Sequence, residues 1–150
     1  MTQTSTSLSI ALFSEISTID QLLKSKLSKE LPTGMEVSHF SILNYFVLSG
    51  GEKTPVQLAK IFNLTKGAIT NTLNKLLAAG YIHIRPDWDD ARSKLISIST
   101  AGKSARDRAV ASIEPILNDL MKVMGADKTK SIIPFLRDLR ILLNNEENNI

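Results

Sequence analysis

Apolar residues recur every three or four positions along most of this 150-residue chain, and that spacing predicts helices. One long helix is predicted over residues 8–31, because proline and glycine follow it, and a second over residues 35–48. Two further long helices are predicted in the C-terminal part, one over residues 101–124 capped by Ser99 and Thr100, and a last one capped by Asp127. Residues 1–7 and the polar C-terminal tail are expected to fray.

Two short helices joined by a tight turn are predicted between residues 54 and 80. Thr54 followed by Pro55 marks a helix start, since a hydroxyl caps the first turn and proline suits its first position. Thr65 is placed to cap the second helix, and Gly80 to end it. The positions predicted to face the core are Val56, Leu58, Ala59, Phe62, Ile69, Leu73, Leu76 and Leu77.

After these helices, apolar residues recur at every second position instead of every third or fourth. Residues 81–85 and 94–99 alternate and are rich in β-forming residues, which predicts two strands. Residues 86–93 between them are polar and turn-like, so the strands should form a hairpin with a long charged tip. The expected fold class is therefore mainly α with a small β-hairpin wing beside a helix-turn-helix.

The hairpin tip carries three aspartates among basic residues, although carboxylates repel nucleic acid. We expect Asp87 and Asp90 to stiffen the loop by accepting hydrogen bonds from backbone amides and from Arg85 or Arg92. A stiff loop can hold one arginine outward, which suits a narrow DNA minor groove. The alternative is an ordinary solvated turn with exposed ion pairs worth ~0–1 kcal/mol.

Positive charge is concentrated in the middle of the chain. Residues 52–108 contain ten Lys and Arg against five Asp and Glu. Residues 1–51 and 109–150 each carry a net charge of −1, so the whole chain carries +3. A basic centre suits a polyanion, but a chance fluctuation on a solvated surface explains the charge alone equally well.

Several function classes are disfavoured by the composition. Cysteine is absent, which excludes disulfides, thiol redox switching and thiolate metal sites. The two histidines have no carboxylate cluster around them, and the chain contains no Gly-rich phosphate loop or suggestive nucleophile–base pair. We therefore expect no metal, no cofactor and no enzymatic activity. No signal peptide or bilayer-length apolar stretch is found, so a cytoplasmic location without a membrane is expected.

The second short helix has the chemistry of a DNA-reading element, since a helix of this width fits the major groove. Asn71 has the amide geometry for adenine, worth about 1–3 kcal/mol of discrimination when bidentate, and Thr70 suits a thymine methyl or a phosphate. Gly67 and Ala68 would let the helix backbone approach closely. The alternative is a solvated helix face. The residues predicted to contact double-stranded DNA are Thr65, Lys66, Gly67, Ala68, Thr70, Asn71, Lys75, Arg85, Arg92 and Lys94.

The first and last helices carry longer apolar faces than a small winged core can bury. A second copy of the chain would cover them, so a homodimer is expected. A winged-helix protein-interaction module that binds no DNA remains the alternative function, and the positive central segment argues against it without deciding the matter.

The block from Leu58 to Lys103 resembles the MarR family of bacterial winged-helix regulators. The most specific combination is an Asp-x-x-Asp-x-Arg wing followed by a strand and Thr-x-Gly. The features that carry the resemblance are Leu58-Ala59, the Leu64 turn, Thr70, Leu73 and Leu76, the run from Ala79 to Ile82, Asp87, Asp90, Arg92, and Thr100 with Gly102.

The resemblance implies a homodimer that binds pseudo-palindromic DNA, often as a repressor, and that a small phenolic or lipophilic effector releases. It makes residues 65–75 the recognition helix, Arg92 the minor-groove arginine of the wing, and Asp87 and Asp90 its supports. It also implies one domain over residues 1–150. Its winged helix-turn-helix lobe spans about 35–102, and its dimerisation lobe spans about 8–32 plus 103–146.

The family's effector pocket lies between the winged lobe and the dimerisation helices. Phe13, Ser17, His39 and Arg106 are the candidates in this chain, although a histidine on a helix face is more often structural. The chain departs from the family pattern in the reading positions and in the wing. Gly67 and Ala68 replace frequent hydroxyl residues, Asn71 replaces a frequent arginine, and Trp88 is an unusual wing residue.

Overall fold

A computed structural model describes residues 4–147 and confirms the mainly helical fold with a two-stranded wing. The strands are antiparallel and form the hairpin expected between the fourth and fifth helices. The elements in chain order are α1 (Ser5–Glu30), α2 (Val37–Ser49), α3 (Pro55–Ile61), α4 (Lys66–Ala78), β1 (Ile82–Pro86), β2 (Lys94–Ile98), α5 (Thr100–Met124) and α6 (Ala126–Glu147).

The chain divides into two compact units, Met1–Ser112 and Ile113–Ile150. The first contains α1 to α4, the hairpin and the first half of α5, and the second contains the remainder of α5 and α6. The division into a winged lobe and a dimerisation lobe stays a prediction. Residues 1–3 and 148–150 of the termini expected to fray lie outside the described residues.

Both terminal helices extend further than their apolar spacing predicted. The α1 helix begins at Ser5 because the Thr4 hydroxyl accepts a hydrogen bond from the Ser7 amide at 3.2 Å. Residues 5–7 are therefore helical and not frayed. At the other end α6 begins before Asp127, which lies in its first turn instead of capping it, and the helix continues into the polar tail as far as Glu147.

The core of the first unit lies between α2, α3, α4, the hairpin and α5. Two expected core positions are wrong, since Val56 is 65% exposed and Leu77 is 44% exposed. On α4 the buried stripe contains Thr72 instead of Leu77, and the Thr72 hydroxyl is satisfied by donating to the Ala68 carbonyl at 3.1 Å. The buried residues of this core are Ile42, Leu43, Phe46, Leu58, Ile69, Leu73, Leu76, Ile82, Ile96 and Ala105.

The hairpin pairs Ile82 with Ile98 and continues in register to Pro86 and Lys94. Its second strand also receives the segment between α2 and α3. The amide of Lys53 donates to the Ile96 carbonyl at 3.0 Å, and the Ile96 amide donates back at 2.8 Å. The base of the wing is therefore attached to the helix-turn-helix by backbone hydrogen bonds that the sequence pattern did not indicate.

The start of α5 is fixed against the end of α4 by one side chain. The buried Ser99 hydroxyl donates to the Gly80 carbonyl at 2.6 Å and accepts from the Gly102 amide at 3.0 Å. This confirms the predicted hydroxyl cap for the helix. Across the described range 4–147, no helix has the combination of length and apolar character needed to cross a membrane.

Candidate nucleic-acid interface

The tight turn between α3 and α4 is built from local hydrogen bonds. Asn63 adopts a left-handed conformation with φ +50°, and the next amide, that of Leu64, donates to the Ala59 carbonyl at 2.9 Å. Thr65 then caps α4, because its hydroxyl oxygen accepts from the Ala68 amide at 3.1 Å. The predicted turn and cap are confirmed, and they fix the angle at which α4 leaves α3.

The N-terminal half of α4 presents one continuous exposed face. Lys66, Gly67, Thr70, Asn71 and Asn74 are all exposed, and their spacing places them opposite the buried stripe. A Cβ added at Gly67 would meet no atom within 4 Å, so the surface there is open. Ala68 is exposed as well. The structure thus brings the predicted reading residues of α4 together on a surface of short side chains.

Lys75 has an intramolecular neighbour that the sequence did not reveal. It lies in the last turn of α4, and its ammonium nitrogen is 3.8 Å from a carboxylate oxygen of Glu36, the residue that precedes α2. Its charge therefore serves a contact within the chain, at the opposite end of α4 from Lys66 and Gly67. Its predicted role at a phosphate stays a prediction.

The wing tip is held by the two aspartates in the manner predicted. Asp87 accepts from the Asp89 amide and Asp90 accepts from the Arg92 amide, each at 3.0 Å through a carboxylate oxygen. The loop is closed by a further hydrogen bond of 3.1 Å from the Asp87 amide to the Ser93 carbonyl. Local backbone contacts therefore give this loop a defined shape.

Neither the Arg85 nor the Arg92 side chain pairs with these aspartates among residues 4–147, so that part of the prediction is wrong. Arg85 has a different partner. Its guanidinium forms a two-pronged ion pair with Glu52, with N–O distances of 2.7 and 2.8 Å. The hydrogen bond from Arg85, reinforced by its charge, holds the pKa of the Glu52 carboxyl below its ordinary value. Glu52 lies in the segment between α2 and α3, so the pair ties the first strand of the wing to that segment. Arg85 is therefore a wing anchor in the free protein.

Arg92 differs from Arg85 because its guanidinium has no ion-pair or hydrogen-bond partner among residues 4–147. Its backbone amide is fixed by Asp90, while its side chain is exposed. Lys94 is also exposed, opposite Pro86 in the hairpin register. The wing consequently offers one anchored arginine and one unengaged arginine.

The four candidate effector residues have different surroundings in the part of the chain that the structure describes, and their shared role in a pocket stays a prediction. Phe13 and Ser17 line an open groove that runs along α1 alone. Arg106 is occupied within the fold, because its guanidinium donates to the Asn44 side chain and to Asp107, each at 3.1 Å. His39 lines a separate cavity near the end of α4. The sequence could not reveal this separation, because the apolar spacing of a helix does not specify the helices that pack on it.

His39 borders a cavity of about 320 Å³ below the C-terminal end of α4. Its Nδ1 accepts the Glu36 amide at 3.1 Å, so this buried histidine also caps the start of α2. Burial lowers the pKa of the His39 imidazole, against the opposing effect of Glu36. The cavity combines apolar walls with two basic residues, Lys75 and Arg108, and is further lined by Met35, Leu76, Ala79 and Tyr81.

Comparisons with known proteins agree with the fold. The family model described as "MarR family" matches residues 33–93. The multiple antibiotic resistance protein MarR of Salmonella typhimurium is 32% identical over 121 residues, covering 80% of this chain and 81% of that protein.

Two solved structures share the fold. A mutant MarR of Escherichia coli, complexed with operator DNA, is 22% identical with a TM-score of 0.73, covering 91% of this chain and 99% of that chain. The transcriptional regulator BldR of Sulfolobus solfataricus is 20% identical with a TM-score of 0.79, covering 95% and 99%.

Proposed function

Because the chain belongs to the MarR family of transcriptional regulators, we propose that it binds operator DNA through α4 and the wing and controls transcription, most simply as a repressor. The observation that carries this proposal is the exposed N-terminal half of α4, a capped helix of short polar side chains, beside a stiff loop with a free arginine. The related Escherichia coli protein, which has the same fold, is complexed with operator DNA.

In this proposal α4 enters the major groove and the wing tip follows the adjacent minor groove. Asn71 and Thr70 meet base edges, while Gly67 and Ala68 let the helix lie close to the bases. Lys66 lies at the first turn of α4, where its charge and the amides of the helix start suit a phosphate. Arg92 supplies the positive charge at the minor groove.

We further propose that two copies bind together on a pseudo-palindromic site. In the single chain α1 buries none of its residues, and large apolar side chains of α6 are exposed, among them Phe135 and Leu142. A two-fold dimer places two recognition helices on half-sites about 10 bp apart, one turn of DNA. A DNA-binding regulator of this kind acts in the cytoplasm and has no need of a catalytic site.

The cavity beside His39 is the place we propose for an effector. It holds a volume suited to a small aromatic or lipophilic compound, and Lys75 and Arg108 at its border favour an acidic one. Since the cavity is also lined by Leu76 and Ala79 near the end of α4, an occupant there could change the orientation of the recognition helix. The cavity contains one of the four effector residues predicted from the sequence, His39.

Binding to duplex DNA over a range of salt concentrations tests the proposal directly. Affinity should fall with salt, with a slope of about −0.9 in log K per neutralised phosphate. A selection from random duplexes then gives the preferred site, which should be pseudo-palindromic. Salt-independent binding, or none to any duplex, would instead favour a winged-helix module that contacts proteins.

Two substitutions separate the roles of the helix and the wing. Arg92→Ala should weaken binding by ~1–3 kcal/mol and reduce the salt slope by about 1, because one cation is removed. Asn71→Ala should relax base preference at one position in each half-site and leave the salt slope unchanged. Lys122→Ala, in the last turn of α5 and outside the set of residues proposed to contact DNA, is the control for a surface cation. Unchanged affinity of Arg92→Ala would remove the wing from the interface.

A further inference from the structure

The wing tip, residues 86–93, contains one aromatic residue, Trp88. The side chain is 78% exposed, and the ring contacts found among residues 4–147 join only Tyr45, Phe46 and Phe62. Trp88 is also the single tryptophan of the sequence. Tryptophan is enriched at binding interfaces, and an exposed indole on an ordered loop offers a rigid planar surface for a contact with another molecule.

The loop holds Trp88 and the free arginine in neighbouring turns. The Asp90 amide donates to the Asp87 carbonyl at 3.3 Å, and the Ser93 amide donates to the Asp90 carbonyl at 3.0 Å. These bonds describe two consecutive turns. Trp88 occupies a central position of the first turn and Arg92 a central position of the second. Both side chains therefore leave the end of the hairpin from positions that the backbone has already fixed.

Charge alone gives the wing little attraction for DNA. Residues 85–94 contain three basic and three acidic residues, a net charge of zero, and Glu52 neutralises Arg85 from outside the loop. One unengaged arginine is consequently opposed by nearby carboxylates. A contact that does not depend on charge would strengthen the wing, and a planar indole can supply it against sugars and base edges.

We propose that Trp88 is a DNA-contacting residue that lays its indole in the minor groove beside Arg92. The apolar face contacts the deoxyribose walls, and the ring N–H donates to a minor-groove acceptor, adenine N3 or thymine O2. This inference rests on the proposed binding of DNA by α4 and the wing. It goes beyond that proposal because it adds a contact by Trp88 that does not depend on charge to the ionic contact by Arg92.

The single tryptophan makes the contact observable in the unmodified protein. Duplex DNA carrying the selected site should quench or shift the Trp88 emission, and the change should saturate together with the anisotropy of the labelled duplex. Emission that stays constant while the anisotropy reports binding would overturn the role of Trp88 and leave the proposed function intact. The absence of any anisotropy change with any duplex would overturn the proposed function itself, and this inference with it.

Matched variants separate the indole from the arginine. Trp88→Ala should weaken binding on the order of tenfold without changing the salt slope, and Trp88→Phe should retain most of the affinity, since a ring remains. Arg92→Ala, in the next turn of the same loop, should reduce the salt slope by about 1. Unfolding by urea should be the same for all three proteins, because both side chains are exposed.

Three results would contradict the inference. Wild-type affinity for Trp88→Ala would show that the indole lies outside the complex. A salt slope reduced as in Arg92→Ala would show that the substitution acts through the arginine. Emission that changes with protein concentration in the absence of DNA would assign Trp88 to a contact between copies of the chain.

Discussion

At Gly102, α5 lies close against the backbone of Tyr81, in the segment between α4 and β1. A Cβ added there would overlap the carbonyl oxygen of Tyr81 and would lie 2.8 Å from the Cγ1 atom of Ile98. The neighbouring Ser99 holds the same junction, because its amide donates to that carbonyl and its hydroxyl accepts the Gly102 amide. The Gly102 of the family's Thr-x-Gly motif is therefore required here by close backbone packing.

Gly102→Ala should lower the free energy of unfolding by about 1–3 kcal/mol, the usual cost of overpacking. The backbone carbonyl it meets cannot rotate away as a flexible side chain would. Gly67→Ala is the matched control, because an added Cβ there meets nothing within 4 Å and the helix gains propensity. Urea unfolding of both variants checks the prediction, and equal stability of the two would contradict it.

The structural role of a single residue was predictable where it depends only on neighbouring positions in the sequence. The cap formed by Thr65 and the stop at Gly80, which adopts φ +77°, follow from residue type and position alone, and both are confirmed. The partner of Arg85 was not predictable, because Glu52 is 33 residues away and three aspartates lie much nearer in sequence. Only the path of the backbone decides between such carboxylates.

At the scale of elements, the start of α2 depends on the protonation state of a histidine. The Glu36 amide donates to the Nδ1 atom of His39 at 3.1 Å, so this nitrogen must be unprotonated for the cap to exist. Burial lowers the pKa of His39, Glu36 raises it in part, and Lys75 lowers it further. Arg108, which lines the same cavity, is another cation near the ring.

This cap makes stability depend on pH. His39 binds its proton more weakly in the folded state than in the unfolded chain, so the unfolded chain takes up more protons as pH falls through about 6.5. The free energy of unfolding should therefore decrease as the pH falls from about 7.5 to the lowered pKa of His39 in the folded state. His39→Gln keeps an acceptor without the titration and should flatten this dependence.

His83→Gln is the control for the pH series, because His83 is the other histidine and is exposed. Chemical unfolding at several pH values measures the dependence for each protein. A slope that persists in His39→Gln but disappears in His83→Gln would contradict the role of the α2 cap.

The type of each element was predictable, while the face it buries was less so. Long helices and the hairpin follow from periods of three to four and of two. The short helix α3 has only seven residues, so one misplaced apolar residue such as Val56 changes the expected face. The backbone bridge between Lys53 and Ile96 could not be foreseen, because Lys53 lies in a segment without periodicity.

At the scale of the whole molecule, the apolar faces of the terminal helices were predictable. The surface that packs against those faces was not. No residue of α1 is buried in the single chain, and among α6 residues 126–145 none is buried either. The sequence shows the same stripes, but a single sequence does not say which surface meets them. Exposed apolar residues on these helices include Leu8, Ile10, Ile19, Leu22, Ile132, Ile133, Phe135, Leu136, Leu142 and Leu143.

Phe135 and Leu142 lie seven residues apart on one face of α6 and are 53% and 63% exposed. If a second copy covers this face, the double variant Phe135→Asp with Leu142→Asp should change the solution mass at micromolar concentration from dimer to monomer. If the dimer still formed, each introduced carboxylate would be buried without a partner. Helical content should remain, because the core between α2, α3, α4 and the hairpin does not include these residues.

Loss of the dimer should also weaken DNA binding, because the second half-site contact would no longer be tethered to the first. Affinity for the full site should fall by ~10²–10⁴, while affinity for an isolated half-site should stay unchanged. Ser131→Asp places one carboxylate on an exposed polar position of the same helix and should remain a dimer. A double variant that remains dimeric would show that the contact between copies does not use this face of α6. A monomer with full affinity for the whole site would show that one copy is sufficient for recognition.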